Sequence, residues 1–194
     1  MTCAFEDRFT RLNCEAAREA KSSRPYDTCT KIRSNMPPNN KESIGRYLEA
    51  ASLFGIGIAS GFTFYISKVE IPSRKEDTGA YCLANWQHVF PPSAAFMKPF
   101  GLFLNALMGG AVYATKKPLW WVPFACIGAL GPYTKFCIQQ TNDELIDMKP
   151  GFLYTPDDDA RAKELVENWG KLHSVRTGMC LIGFASAIVA AMDL

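Results

Sequence analysis

The 194-residue chain predicts an all-α fold, a four-helix transmembrane bundle with an amphipathic helical extension before the fourth span, and three observations lead there. Four windows, residues 50–67, 99–115, 118–134 and 177–192, contain no Asp, Glu, Lys or Arg. With a few flanking residues each reaches the roughly 17–20 positions that a helix needs to cross a hydrocarbon layer of about 30 Å. Residues 114–118 alone join the second span to the third, which forces an antiparallel hairpin. From Asp157 onward, Leu165, Val166, Trp169, Leu172 and His173 recur at helical spacing and run without a breaker into the fourth window. This partition excludes a soluble α/β enzyme and a secreted disulfide domain. A net charge of +2 gives no electrostatic case for nucleic acid, so the partner expected on composition is membrane lipid.

Residues 1–43 read as a polar tail before a membrane domain over 44–194. Alternating charge and the breaker-rich Ser34-Asn35-Met36-Pro37-Pro38-Asn39-Asn40 mark the tail. A short amphipathic helix over residues 5–20 carries too many acids for a transit peptide, and no apolar core makes it a signal peptide. Lys31, Arg33, Lys41 and Arg46 are candidates for anionic lipid. In the first span, Gly57 and Gly61 form a small-xxx-small face for helix contact. The span is expected to end near residues 68–72, where Pro72 removes a backbone donor. Trp120 and Trp121 fit an aromatic belt at the membrane surface. Asp157, Asp158 and Asp159 suit the positive end of the last helix. Four passes with one short hairpin put both termini and Lys116–Lys117 on one side, so loops 68–98 and 135–176 meet on the other.

That shared face gathers the chemistry. Trp169, His173 and Arg176 are spaced i, i+4 and i+7, so one helix stripe presents all three at the mouth of the bundle. His173, one of two histidines, is the natural general base, because an imidazole titrates near working pH. The alternative is an interfacial histidine capped by water or a carbonyl. Arg176 suits a developing oxyanion, or a side chain snorkelling to head groups. Thr141 and Glu144 match a capping box that starts a helix, whereas Asn142 can offer an amide donor to a substrate oxygen. Glu70 and Arg74 stand four apart, yet Pro72 between them favours a loop ion pair over a helical one. Trp86, Gln87 and His88 precede the second span on the same face.

Several chemistries lack a foothold. The seven cysteines, at 3, 14, 29, 82, 126, 137 and 180, show no C-x-x-C spacing, and no His/Asp/Glu cluster has metal-ligand spacing. No Gly-rich phosphate loop or G-x-S-x-G elbow occurs, and the spans hold none of the ionisable groups that a proton-coupled transporter uses. No metal or cofactor is therefore expected.

Three segments carry a family resemblance: residues 64–74 (FYISKVEIPSR), residues 131–134 (GPYT) with 140–145 (QTNDEL), and residues 169–176 (WGKLHSVR). In this order, around four apolar windows, they resemble the anthrone-oxygenase-like membrane proteins over about residues 44–192. The family pattern has Pro before the Thr-Asn pair, where Gln140 stands here, while the Trp-x-x-x-His-x-x-Arg stripe is intact. The resemblance implies oxidation of an anthrone to a quinone by molecular oxygen, without metal or flavin, on a hydrophobic aromatic substrate. It implies His173 as the base that removes the methylene proton, and Arg176 and Asn142 as the groups that hold the enolate. Trp169, Thr141, Glu70 and Arg74 would then line or orient the substrate. The competing expectation is a non-enzymatic helical subunit, either a homo-oligomer or part of a larger membrane complex, for which the Gly57/Gly61 face, Gln140 and the tail argue.

Overall fold

The computed structural model describes residues 40–74, 76–149 and 155–192. The predicted tail, with its helix over residues 5–20 and with Lys31 and Arg33, therefore lies outside the described residues apart from its last positions. Helix α1 (Asn40–Tyr65) continues through a π-helical turn (Ile66–Glu70) and one further turn (Ile71–Ser73). Helix α2 (Gly79–Thr115) is followed by a 3-10 turn (Pro118–Trp120) and helix α3 (Trp121–Tyr133). A second π-helical turn (Thr134–Ile138) joins α3 to α4 (Gln139–Asp147), and α5 (Pro156–Ala191) completes the fold. Counting α3 to α4 as one continuous rod, the architecture is an all-helical four-helix bundle, and no strand occurs among the described residues.

Three of the rods are long and apolar enough to cross a membrane: Asn40–Ser73, Gly79–Thr115 and Pro156–Ala191. The third rod, predicted as a full span, is not among them, although it runs without a break from Pro118 through its own π-turn, which carries Lys135, to Asp147. Large apolar side chains point outward along the long rods: Leu102 is 76% exposed, Phe54 74% and Ile182 61%. Such surfaces are rare on a water-soluble monomer.

Local chemistry accounts for the helix limits and for three departures from the sequence reading. First, Pro72 does not stop the first rod. In the π-turn the Ile71 N–H reaches back five residues to the Ile66 carbonyl, so the ladder shifts register ahead of the proline. The helix carries on to Ser73, and Arg74 pairs with Glu70 across that turn rather than in a loop. Second, residues 79–98 are helix, not loop. The Thr78 hydroxyl caps α2, and the Asp159 carboxylate accepts the Gly79 and Ala80 N–H groups at 3.0 and 2.8 Å. Pro91, Pro92 and Pro99 lie inside this helix, as membrane helices tolerate. Third, Thr141 caps nothing. The second π-turn keeps the chain helical through Lys135, so Thr141 sits buried inside α4 and no capping box forms there. The capping box that does form starts α5, where Thr155 and Asp158 exchange side-chain and backbone bonds. As predicted, the α2–α3 link is tight: Lys116 takes a left-handed φ of 56° and its N–H closes on the Val112 carbonyl.

Two apolar clusters fill the bundle. One, near the tight link, gathers Ile56, Leu104, Met108, Trp120, Ile127 and Cys180. The other, at the opposite end, gathers Ile66, Leu83, Trp86, Ile138, Leu145 and Trp169. Trp120 is thus a core residue and not a belt anchor: it is fully buried, and its indole N–H donates to Glu49 Oε1 at 2.8 Å. That carboxylate also meets Lys117 Nζ at 2.8 Å. Trp121, by contrast, is 57% exposed. Of the two paired glycines, Gly57 abuts the Phe184 ring and Gly61 has no neighbour where a Cβ would stand.

Candidate functional site

Between the two apolar clusters, α1 and α5 both turn polar. Ser60 and Thr63 lie between Ile56 and Ile66 on one rod, and Thr177 and His173 lie between Cys180 and Trp169 on the other. All four are buried. Buried polar groups need partners, and here the two rods supply several of them to one another. The Ser60 hydroxyl donates to the Cys180 carbonyl at 3.0 Å, and Thr177 Oγ1 donates to the Thr63 carbonyl at 3.0 Å. Ser67 Oγ stands 2.7 Å from Thr177 Oγ1 and 3.0 Å from His173 Nδ1. His173 itself is 3% exposed, and its Nε2 makes no hydrogen bond to another described residue.

One turn earlier on α5, the Trp169 ring stacks on the His173 ring with centroids 4.8 Å apart and planes 27° from parallel. Trp169 in turn meets Trp86 edge-on at 5.9 Å, and Trp86 stacks on Phe90 at 4.4 Å. This places α2 aromatics, which precede the second apolar window in sequence, against the α5 stripe. The Trp169 indole N–H donates to Asn142 Oδ1 at 2.9 Å. An indole N–H can only donate, so the bond fixes which end of the buried amide is oxygen. The Asn142 Nδ2 group then faces away, with no hydrogen bond to another described residue.

Arg176 follows one turn after His173. Its Nε is buried without a hydrogen-bond partner, and the side chain makes no ion pair among the described residues. Nearby, the Tyr133 hydroxyl donates to the Leu172 carbonyl at 3.1 Å and ties α3 to α5 at this level. An enclosed guanidinium nitrogen without a partner is costly unless something anionic or polar meets it.

The sequence-derived candidates thus divide into groups. Asn142, Trp169 and His173 form one contiguous chain of contacts, with Arg176 on the same α5 stripe. Thr141 turns instead toward an open cleft of about 320 Å³ between α4 and α5, also lined by Gln140, Glu144, Arg161, Asn168 and Leu172. Arg161 bridges this cleft by pairing with Glu144 at 2.8 Å and Glu164 at 3.1 Å. Glu70 and Arg74 are engaged with each other, and Arg74 Nη2 also donates to Asn85 Oδ1 at 3.2 Å. They make no hydrogen bond to the Asn142–Trp169–His173 chain. The link to it is steric, through Ile71, which packs so closely on Gly170 that a Cβ there would lie 2.7 Å from Ile71 Cγ2. Sequence reasoning missed Ser67 and Thr177. Both belong to segments already singled out, Ser67 inside the first motif and Thr177 directly after the third. Among the described residues no group of three or more His, Cys, Asp or Glu is arranged to hold a metal ion.

Comparison with known proteins covers the second and third of the motif segments. A family model described as anthrone oxygenase matches residues 86–186, more than half of the chain. An anthrone oxygenase of Claviceps purpurea (strain 20.1) is 28% identical over 135 residues, which cover 64% of this chain and 76% of that protein. No solved structure matches the chain.

Proposed function

The chain belongs to the anthrone oxygenase family, and on that premise we propose that it is an integral membrane oxygenase that converts an anthrone-like phenolic substrate to the corresponding quinone with molecular oxygen. The observation that carries the proposal is the complementarity of three groups without a hydrogen-bond partner among the described residues: a ring nitrogen of His173, the amide donor of Asn142 and the guanidinium Nε of Arg176. One can take a proton, and two can stabilise the oxyanion that its removal creates.

In this mechanism His173 Nε2 removes a proton from the methylene carbon between the two aromatic rings. The electron pair moves onto the ring carbonyl, and the enolate oxygen is held by Asn142 Nδ2 and Arg176. The electron-rich carbon passes one electron to oxygen and recombines with the superoxide formed, making the C–O bond. Protonation of the distal oxygen by the imidazolium gives a hydroperoxide. Loss of the second C–H proton, with cleavage of the O–O bond, forms the new carbonyl and releases water. One anthrone and one oxygen molecule thus give one quinone and one water, with no external reductant. The protein supplies deprotonation, anion stabilisation and an apolar aromatic lining from Trp86, Phe90 and Trp169. No resident metal or flavin enters these steps.

The outward-facing apolar side chains and the three long rods support embedding in lipid, where an aromatic substrate would also partition. The test is oxygen uptake by the full chain, purified in mild detergent, with anthrone as substrate. His173→Gln is expected to abolish turnover, and Asn142→Ala to lower kcat about 10²- to 10³-fold, as loss of one oxyanion donor does. Undiminished turnover in His173→Gln would overturn the assignment. Wild-type protein that consumes no oxygen and co-purifies stoichiometrically with larger subunits would favour the structural role.

A further inference from the structure

The geometry points to Ser67 and Thr177 as positioning residues that hold neutral His173 in the tautomer protonated on Nδ1, leaving the lone pair on Nε2. The argument is proton counting along one buried chain of contacts. A backbone carbonyl can only accept, and a hydroxyl has one proton to give. Thr177 Oγ1 lies 3.0 Å from the Thr63 carbonyl oxygen and 3.3 Å from the carbonyl of His173, so its proton goes to one of them. With that proton committed, the 2.7 Å contact between Ser67 and Thr177 is Ser67 donating to Thr177. Ser67 then has nothing left to give His173. The remaining 3.0 Å contact is His173 Nδ1–H donating to Ser67 Oγ.

Reversing the chain is costly. If Ser67 donated to His173, Thr177 would have to donate to Ser67, and its lone pairs would face two carbonyl oxygens with no proton between them. All four residues involved are buried, with Thr63 2%, His173 3%, Thr177 4% and Ser67 9% exposed, so bulk water cannot relieve that repulsion. The chain ends on a neutral carbonyl and not on a carboxylate. It therefore orients the ring and selects its tautomer without adding charge.

This inference rests on the proposed role of His173 as base, and its test includes a readout that needs no turnover. Full-length protein in detergent, labelled with 15N-histidine, contains two histidines. His88, which is exposed, is assigned with a His88→Gln variant, and the remaining signals report the two nitrogens of His173. Wild type is expected to show His173 protonated on Nδ1. Ser67→Ala and Thr177→Val are each expected to shift the ring toward the Nε2–H form or a mixture. Both should lower kcat on anthrone roughly tenfold or more, below the 10²–10⁴-fold that a general base contributes, with KM changed less than about twofold. Ser67→Thr and Thr177→Ser, which keep the hydroxyls, are expected to restore both readouts. Thr177→Val nearly preserves volume, so it carries the test should Ser67→Ala not fold. An Nε2-protonated ring in wild type, or an unchanged tautomer and kcat in folded Ser67→Ala and Thr177→Val, would overturn the inference. Turnover surviving in His173→Gln would instead sink the base assignment, while the tautomer measured by 15N still decides the chain of contacts.

Discussion

The bond between Trp169 Nε1 and Asn142 Oδ1 can be isolated by Trp169→Phe, and its consequences for stability and for rate differ in a way that the geometry dictates. Phenylalanine keeps a ring to stack on His173 and to meet Trp86, and it removes the one donor that holds the buried amide. The Asn142 oxygen, on a residue 3% exposed, is left without a partner, which costs about 1–3 kcal/mol. The effect on kcat is smaller. A released amide can still present Nδ2 to the enolate in one of its two orientations, so the loss should be a few-fold, against about 10²–10³ when Asn142→Ala removes the donor altogether. The assay is a double-mutant cycle on unfolding in mild detergent, with Asn142→Leu as the second change because it is apolar and of similar size. Removing both partners should cost less than the sum of the single changes, by roughly 1 kcal/mol or more, since the double variant buries no orphan. Additivity within about 0.3–0.5 kcal/mol would refute the bond, and with it the argument that Trp169 decides which end of Asn142 faces the substrate.

Other sites test other parts of the molecule. At Gly79 a Cβ would stand 1.9 Å from the Asp159 carbonyl oxygen, so Gly79→Ala must push the start of α2 off α5 and is expected to cost about 1–3 kcal/mol; unfolding at wild-type denaturant would show that the two helix starts do not pack this way. Trp120→Phe strips the buried donor from Glu49, a hydrogen bond to a charged group worth about 1.5–3 kcal/mol, and should destabilise the protein without changing KM for anthrone, as unfolding and steady-state kinetics would read. Leu102→Arg separates lipid from water as the surroundings of α2: at a 76% exposed position it should be nearly neutral in a soluble protein, but should weaken insertion by about 2.5–3.5 kcal/mol in a membrane, measured as the fraction retained in carbonate-washed membranes.

What the sequence made legible follows from which interactions are local. Charge-free windows and the five-residue link between them speak directly about solvent and reach, and they lead to the helical bundle and its tight turn at Lys116 without knowledge of any contact. The α5 stripe of Trp169, His173 and Arg176 is equally local, because helical spacing alone puts the three on one face. Pro72 misled because a proline's missing N–H is a local signal, whereas its accommodation by a π-turn one register earlier depends on how the whole rod is held. Trp120 and Trp121 are adjacent and chemically identical, so only the buried Glu49 carboxylate, 71 residues away, distinguishes a core indole from a surface one. Ser67 is the sharpest case. In an apolar helix a hydroxyl commonly satisfies itself on its own backbone and carries no message, as Thr134 does by donating to the Leu130 carbonyl at 2.7 Å. Ser67 differs only because α5, arriving 106 residues later, brings His173 Nδ1 to 3.0 Å and Thr177 Oγ1 to 2.7 Å. The proposed base could be named from the stripe, but which nitrogen of its ring carries the proton depends on two rods in contact, and no window along one of them contains it.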